Sequence, residues 1–360
     1  MAMIAIVLGT RPEIIKMSPV IRECERRGEG YFILHTGQHY SYGMDRIFFE
    51  QLELPEARNN IEAGSGTQAE QTARILSGVE RALLDNRPDV VLVQGDTNTT
   101  MGSALASVKL GIPVGHVEAG LRSFDRTMPE EINRVLADHM SEMLFAPTEG
   151  ARRNLEAEGI TKGVSVTGNT VVDAVRQNLR IAERVTDPLS EHSLERGRYV
   201  LVTAHRKENV DNPSRLRGII EGLRLIGNEL GMPVFFPMHP RTRRMIEGIG
   251  AGLNFASVAE PVGYLQFLML ESKAALILTD SGGVQEEACV LKVPCVTLRD
   301  NTERPETVEV GANKLAGIDP QRILAASREM MSRRKNWDNP FGDGRAGERI
   351  VDIVSSRIKR

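Results

Sequence analysis

Short apolar runs that lack polar alternation, and that stop at glycine or charge, constrain this chain more than any other feature. Residues 4–8 stop at Gly9, residues 32–35 stop shortly before Gly37, residues 90–93 run into Gly95 and Asp96, and residues 113–117 stop at Glu118. A strand that is apolar at successive positions is buried on both faces, which a parallel sheet covered by helices provides. Helical patterns fit between the runs, at 12–27, 68–86 and 104–110. The series then restarts at 199–203, 234–237, 275–278 and 294–298. Two such series predict two doubly wound α/β domains facing one another. The length of 360 residues agrees, since single cores seldom grow past about 250–300 residues. The polar, proline-containing stretch 185–197 reads as a linker region, and the helical stretch 345–358 fits either domain.

Composition narrows the function classes. Forty-five basic residues against 48 acidic ones leave a net charge of −3, which argues against a nucleic-acid or anionic-membrane surface. No apolar run approaches the roughly 20 residues of a membrane span. The first apolar stretch is too short for a signal peptide and lacks a basic flank. Cys24, Cys289 and Cys295 form no CxxC and no disulfide framework, which fits a reducing cytosol. A two-domain enzyme is the expectation.

In open parallel sheets, ligands bind beyond the carboxyl ends of the strands. TDSGGVQEEA, residues 279–288, is the sharpest local signal there. A helix starting at Ser281, Gly282 and Gly283 can offer free N–H groups to a phosphate, and a glutamate one turn in can accept from ribose hydroxyls. An ordinary turn capped by Ser281 or Asp280 is the competing reading. GIGAG at 248–252 lacks the strand-then-helix context of a dinucleotide fingerprint and reads as a loop.

LGTRPEIIKMSP, residues 8–19, places Arg11 and Lys16 at a helix start, where cations oppose the dipole unless an anion binds. Asp96 and Glu118 end strands, while Glu130 and Glu131 begin a helix after Pro129, with Arg134 three residues beyond Glu131. Carboxylates gathered in one cleft would raise at least one pKa and suit acid/base work. His205 follows a strand beside Arg206 and Lys207 and suits a phosphate. His239 repeats that placement, with a structural role equally open. No ligand set at metal spacing accompanies these two histidines. His35 and His139 read as structural, and His39 and His116 stay open between roles. RDNTERPE, residues 299–306, suits sugar hydroxyls and a diphosphate.

The motifs GTRPEIIK, TGQHY, VQGDT, HVEAGLRS, MPEEINR, TGNTVVDA, TAHRKEN, MHP, DSGGVQEEA and TERPE, in this order, resemble the non-hydrolysing UDP-N-acetylglucosamine 2-epimerases over nearly the whole chain. The resemblance implies a GT-B-like fold: two Rossmann-type domains around a central cleft. It places the sugar-side domain at 1–170, joined by a C-terminal helix at 345–360, and a UDP-binding domain at 171–344. It implies inversion at C2 by anti elimination of UDP to a 2-acetamidoglucal and re-addition, giving UDP-N-acetylmannosamine, with no cofactor and no metal. It implies a UDP-sugar substrate, with neither nucleic acid nor membrane as partner. A homodimer, a cytoplasmic place in polysaccharide biosynthesis and domain closure over the substrate also follow from it.

By the same resemblance, Asp96, Glu118 and Glu131 match the acid/base carboxylates. Arg11, Lys16, Arg134 and His205 match substrate or phosphate contacts, with His205 kept among the catalytic set. Ser281, Gly282, Gly283 and Glu287 match the UDP site, with Arg304 nearby and Phe267 close to the uracil. Gln38, Arg206 and His239 are candidates for a second, activating substrate site. There the chain departs from the family: Gln38 and His39 are kept, but position 41 is serine and GSGTQ at 64–68 offers no arginine. Val262 likewise replaces a polar uracil contact. A hydrolysing relative, a retaining glycosyltransferase of the same fold, and a sugar-nucleotide-binding regulator without catalysis are the alternatives.

Overall fold

The computed structural model describes residues 2–38 and 42–358. His39 and Ser41 therefore lie outside the described residues. The chain divides into two compact units: unit 1 is Met1–Gln177 with Phe341–Arg360, and unit 2 is Asn178–Pro340. The first division falls inside the helix Thr170–Val185 rather than at 185–197. That polar stretch, expected as a linker, belongs to unit 2 and carries the short helix Pro188–Glu191. The reason is local bonding. Asp173 in the first half of the long helix accepts from the backbone of Ala346 and Gly347, whereas Glu183 in its second half meets Lys273.

Unit 1 has seven strands: β1 Met3–Leu8, β2 Gly30–His35, β3 Asn59–Asn60, β4 Val90–Gln94, β5 Val114–Val117, β6 Met143–Ala146 and β7 Val164–Val166. They pair in parallel in the order β3-β2-β1-β4-β5-β6-β7. Ala5, Val7, Val91 and Val93 pack in one core with Ile75 and Val79 of the helix Gln68–Asn86, while Ile4, Ile6 and Leu8 are also buried. Burial on alternate positions of one strand means that both faces are covered. The last helix, Ala346–Ile358, packs on the helix Arg11–Arg27, and the contact is close. A Cβ on Gly347 would lie 3.0 Å from the Pro19 carbonyl carbon.

Unit 2 has six strands: β8 Val200–Thr203, β9 Val234–Pro237, β10 Ala256–Ala259, β11 Leu276–Thr279, β12 Cys295–Thr297 and β13 Asn313–Leu315, in the parallel order β10-β9-β8-β11-β12-β13. Val200, Val202, Leu276 and Leu278 join one core, and Tyr199, Leu201 and Ile277 join another. In each sheet the order in which strands are added reverses once, between β1 and β4 in unit 1 and between β8 and β11 in unit 2. Those are the switch points where open α/β sheets bind ligands. Among the described residues, no helix is long and apolar enough to cross a membrane.

Candidate active site

At the switch point of unit 1, the tips of β1 and β4 are wired to each other. A Cβ on Gly9 would sit 2.1 Å from Thr99 Oγ1 and 2.2 Å from Thr36 Oγ1, so only glycine lets the end of β1 come this close to the next loops. Glu13 does the wiring. Its buried carboxyl accepts from the N–H groups of Gly9 and Thr10 at 2.7 Å each and from the Thr97 hydroxyl at 2.5 Å. Burial raises its pKa against the pull of those hydrogen bonds. Thr97 follows Asp96 directly, so one carboxyl fixes the loop after β1 and the loop after β4.

Asp96 and Glu131 meet through Arg134. One guanidinium nitrogen donates to Glu131 Oε2 at 2.8 Å, and the other donates to Asp96 Oδ2. The helix Pro129–Met140 makes this possible, because positions three apart share a face. Glu131 also accepts from the Ser123 N–H, the Ser123 hydroxyl and the Phe124 N–H, each at 2.9 Å. Burial alone would raise its pKa, but these bonds and Arg134 outweigh it and hold Glu131 below the ordinary carboxylate value. The expectation of an upward shift therefore fails at Glu131: donors and a cation surround it in place of bare carboxylates.

Glu118 ends β5 in a left-handed conformation, φ 74°. Lys16 Nζ donates to both its oxygens, at 2.7 and 2.8 Å, and Gln94 of β4 donates to Oε2. Lys16, read from sequence as a phosphate contact, is thus an ion-pair partner of a candidate catalytic carboxylate. Arg11 lies with its guanidinium carbon 5.8 Å from the centre of the Phe48 ring. Glu130, which suits the helix dipole at its sequence position, is exposed in the first turn of its helix.

Beneath these groups lies a buried network. His116 Nδ1 pairs with Asp138 Oδ1 at 2.7 Å and Nε2 with the Gly95 carbonyl at 2.8 Å. Arg122 meets Asp138 at 2.7 Å and Glu158 at 2.6 Å. Burial works against the charge on His116, yet Asp138 wins and raises its pKa. Asp138 in turn is held low by His116 and Arg122 against its own desolvation. The His116 bond to the Gly95 carbonyl supports the turn that presents Asp96.

In unit 2 the helix Gly282–Leu291 begins directly after β11, with Ser281 as its N-cap residue. Neither glycine is demanded by the chain. Added Cβ atoms would come no nearer than 3.8 Å to Glu303 at Gly282 and 3.9 Å to Ser281 at Gly283, and neither residue has positive φ. The short turn from β11 into the helix therefore does not require them. The space above the helix start is what they keep clear. Asp280, considered as the cap, instead accepts from the N–H groups of His205 and Arg206, at 3.0 to 3.1 Å, and from Asn209. It thereby braces the loop after β8 against the loop after β11. His205 is half exposed, and burial, with the charges of Arg206 and His239, lowers its pKa despite Asp280.

Arg304 pairs with the buried Glu286 at 2.6 Å. Arg299 pairs with Glu208 and Glu303; it brings Glu303 to about 2 although burial opposes that direction. Phe267 and Val262 are half-buried beside the apolar core that holds Leu270 and Val284. Glu287 lies 9% exposed on the inner part of the helix.

The activating-site candidates have local partners. Gln38 Oε1 accepts from the Thr99 N–H at 3.0 Å and from its hydroxyl at 2.8 Å. His239 caps the helix Pro240–Gly248 by accepting from the Arg241 N–H, and Arg206 precedes the short helix Lys207–Val210. Arg74, on the helix that follows 64–68, donates to the Ser65 carbonyl at 2.8 Å. GIGAG follows the end of the Pro240–Gly248 helix as a loop, with Gly250 at φ 66°. His35 is buried against Phe49, and His139 bonds Val135 on its own helix. Among the described residues, no group of three or more His, Cys, Asp or Glu side chains could hold a metal ion. All three cysteines are buried, free thiols.

Sequence reasoning missed Glu13, although Thr10-x-x-Glu13 is a capping-box pattern that would have found it. It also missed Gln94 and the pairing of His116 with Asp138, for which no local pattern exists.

A family model described as UDP-N-acetylglucosamine 2-epimerase matches residues 22–355. A UDP-N-acetylglucosamine 2-epimerase of Methanocaldococcus jannaschii is 54% identical over 360 residues, 98% of either chain. A crystal structure of the Methanocaldococcus jannaschii UDP-GlcNAc 2-epimerase, in complex with UDP-GlcNAc and UDP, matches with a TM-score of 0.89 at 54% identity, over 98% of this chain and 99% of that one. The glycotransferase of kitacinnamycin, at 14% identity and a TM-score of 0.61 over 99% and 98% of the two chains, shares the fold alone, which is GT-B-like. Two parallel Rossmann-type sheets with charged switch points, and a match that spans nearly every residue, lead to one conclusion: the chain belongs to the UDP-N-acetylglucosamine 2-epimerase family, and its members are isomerases.

Proposed function

We propose that this protein interconverts UDP-N-acetylglucosamine and UDP-N-acetylmannosamine without net hydrolysis. The C1–O bond breaks with its electron pair leaving on the UDP β-phosphate, a base takes the C2 proton, and a C1=C2 double bond forms. UDP then adds back to C1 while a proton is delivered to the opposite face of C2. The C2 proton is not acidic in the ground state, so cationic character at C1 has to develop as UDP leaves. An ordered, cation-neutralised set of carboxylates suits the proton steps.

The observation that carries this reading is the Asp96–Arg134–Glu131 bridge. It holds two carboxylates at one switch point in defined geometry. Glu118, with Lys16 and Gln94, supplies a third. Glu131, held ionised, is ready to accept a proton at neutral pH. Ser281, Gly282 and Gly283 serve the diphosphate through free N–H groups at the helix start, with His205, Arg11 and Arg304 as further contacts. Glu287 serves the ribose and Phe267 the uracil. On the resemblance alone, the reading extends to a homodimer, to domain closure that shields the glycal intermediate from water, and to supply of an amino-sugar precursor for polysaccharide.

Chromatography of a reaction started with UDP-N-acetylglucosamine tests the reading. A second UDP-sugar should rise to a constant ratio while free UDP stays flat. Steadily rising UDP with free amino sugar would replace the proposal by the hydrolysing reaction.

A further inference from the structure

Asp96 is held by its backbone as well as by Arg134. His116 Nε2 bonds the Gly95 carbonyl at 2.8 Å, and Asn133 Nδ2 donates to the Asp96 carbonyl at 3.0 Å. These carbonyls belong to the peptide groups on either side of the Asp96 Cα. Each group is planar, so holding both fixes the direction in which the carboxylate leaves the chain. His116 is anchored by Asp138, whereas Asn133 leads to a different part of unit 1.

Asn133 donates a second time, to Asn98 Oδ1 at 3.1 Å, and Asn98 opens the helix Asn98–Lys109. Asn98 Nδ2 donates to Gln71 Oε1 at 2.8 Å and to Gln68 Oε1 at 2.6 Å. Gln71 Nε2 in turn donates to the carbonyls of Gln38, at 2.9 Å, and Gly64, at 2.7 Å. Asn133, Asn98, Gln71 and Gln38 are all buried. Backbone carbonyls only accept, so the two ends dictate how each amide is turned. The Asp96 carbonyl takes the NH2 of Asn133, the Gln38 and Gly64 carbonyls take that of Gln71, and Asn98 then fits in one sense only. Amides aligned in this way polarise one another along the chain. Gln71 is also the exception on its helix, Gln68–Asn86, whose other buried positions are Ile75, Gly78, Val79, Ala82 and Leu83. An apolar residue would continue that stripe, whereas a buried glutamine costs free energy unless its amide is bonded.

We propose that Gln71, acting through Asn98 and Asn133, is a positioning residue for Asp96: the amide chain ties the backbone of that carboxylate to the segments at Gln38 and Gly64. Displacing an acid/base group by about 1 Å can cost about 10²-fold in rate. The effect belongs to kcat, because Gln71 bonds to no group assigned to the nucleotide. This inference rests on reading Asp96 as an acid/base group of the epimerisation.

Steady-state kinetics with UDP-N-acetylglucosamine tests it on the wild type, Gln71→Met, Asn133→Ala and the double variant. Each kcat is taken per folded enzyme, with the folded fraction read by circular dichroism at the assay temperature, so a merely structural loss would leave it unchanged. Methionine keeps the length of the side chain and removes both N–H groups. Gln71→Met should lower kcat about tenfold, with KM within about twofold of wild type. Asn133→Ala cuts the chain beside Asp96, so adding Gln71→Met to it should lower kcat by no more than about twofold further. The inference is overturned if Gln71→Met keeps the wild-type kcat, if KM rises in place of a fall in kcat, or if the same factor is lost in both backgrounds. Should Gln71→Met not fold, Asn98→Ala removes the middle link and is read by the same criteria. Should the wild type convert no substrate, the functional reading falls, and this inference with it. Should it convert while Gln71→Met matches it, only the inference falls.

Discussion

Arg134 reaches back three residues along its own helix to hold Glu131 Oε2 at 2.8 Å, with the two side chains 9% and 4% exposed. Its other nitrogen is on Asp96, so one guanidinium sets the spacing of a carboxylate on its own helix and one on the loop after β4. Removing one partner of a buried ionic set leaves the rest uncompensated, which costs more than the set contributes.

Asp96→Asn and Glu131→Gln should each lower kcat by about 10²-fold or more while KM changes within a few-fold. Arg134→Lys keeps the charge and loses the two-pronged geometry, so it should also lower kcat. Steady-state kinetics checks this, and unchanged kcat in both carboxylate variants would remove their acid/base role.

Glu131 has a folded-state pKa below its ordinary 4.5. A depressed carboxylate contributes stability that is present above the unfolded value and lost as pH falls through the folded one. Glu131→Gln should therefore be less stable than wild type at neutral pH, with the gap closing only as pH drops below 4.5. Thermal melts of both proteins across that range measure the gap; a constant gap would contradict the account.

His116 has the opposite sign. Its pKa is raised above 6.5, so its pairing with Asp138 stabilises fully below 6.5 and is lost as pH climbs through the raised value. His116→Leu should cost about 3 kcal/mol at pH 6, because Asp138 is left buried with one partner fewer. Urea denaturation at several pH values reads both the size and the direction.

Gly283→Val should weaken UDP binding at least about tenfold while leaving the melting temperature nearly unchanged. The nearest atom to an added Cβ is Ser281 Oγ at 3.9 Å, so the chain itself has room. Wild-type affinity in this variant would show that no ligand approaches the helix start.

The central strands were legible because they are buried on both faces, and an unbroken apolar run such as residues 90–93 has few other solutions. The outer strands were not: β3 is two polar residues, and β7 and β10 are half-exposed with mixed patterns. The stretch 185–197 looked like a linker because it is polar, yet its bonds tie it into unit 2. Asp96, Glu131 and Arg134 could be singled out by placement at strand ends and helix starts. What could not be read was who pairs with whom. Lys16 and Glu118 lie 102 positions apart, and only the β1-β4-β5 order brings them together. His116 and Asp138 lie 22 apart on different elements, and sequence carries no sign of their bond.

The central claim is that UDP leaves C1 while the C2 proton is exchanged by carboxylates of unit 1. Running the reaction from UDP-N-acetylglucosamine in deuterium oxide, and locating the label by NMR, tests it most directly. The account predicts deuterium at C2 of both UDP-sugars, with free UDP not accumulating. Conversion between the two epimers with no deuterium at C2 would contradict it.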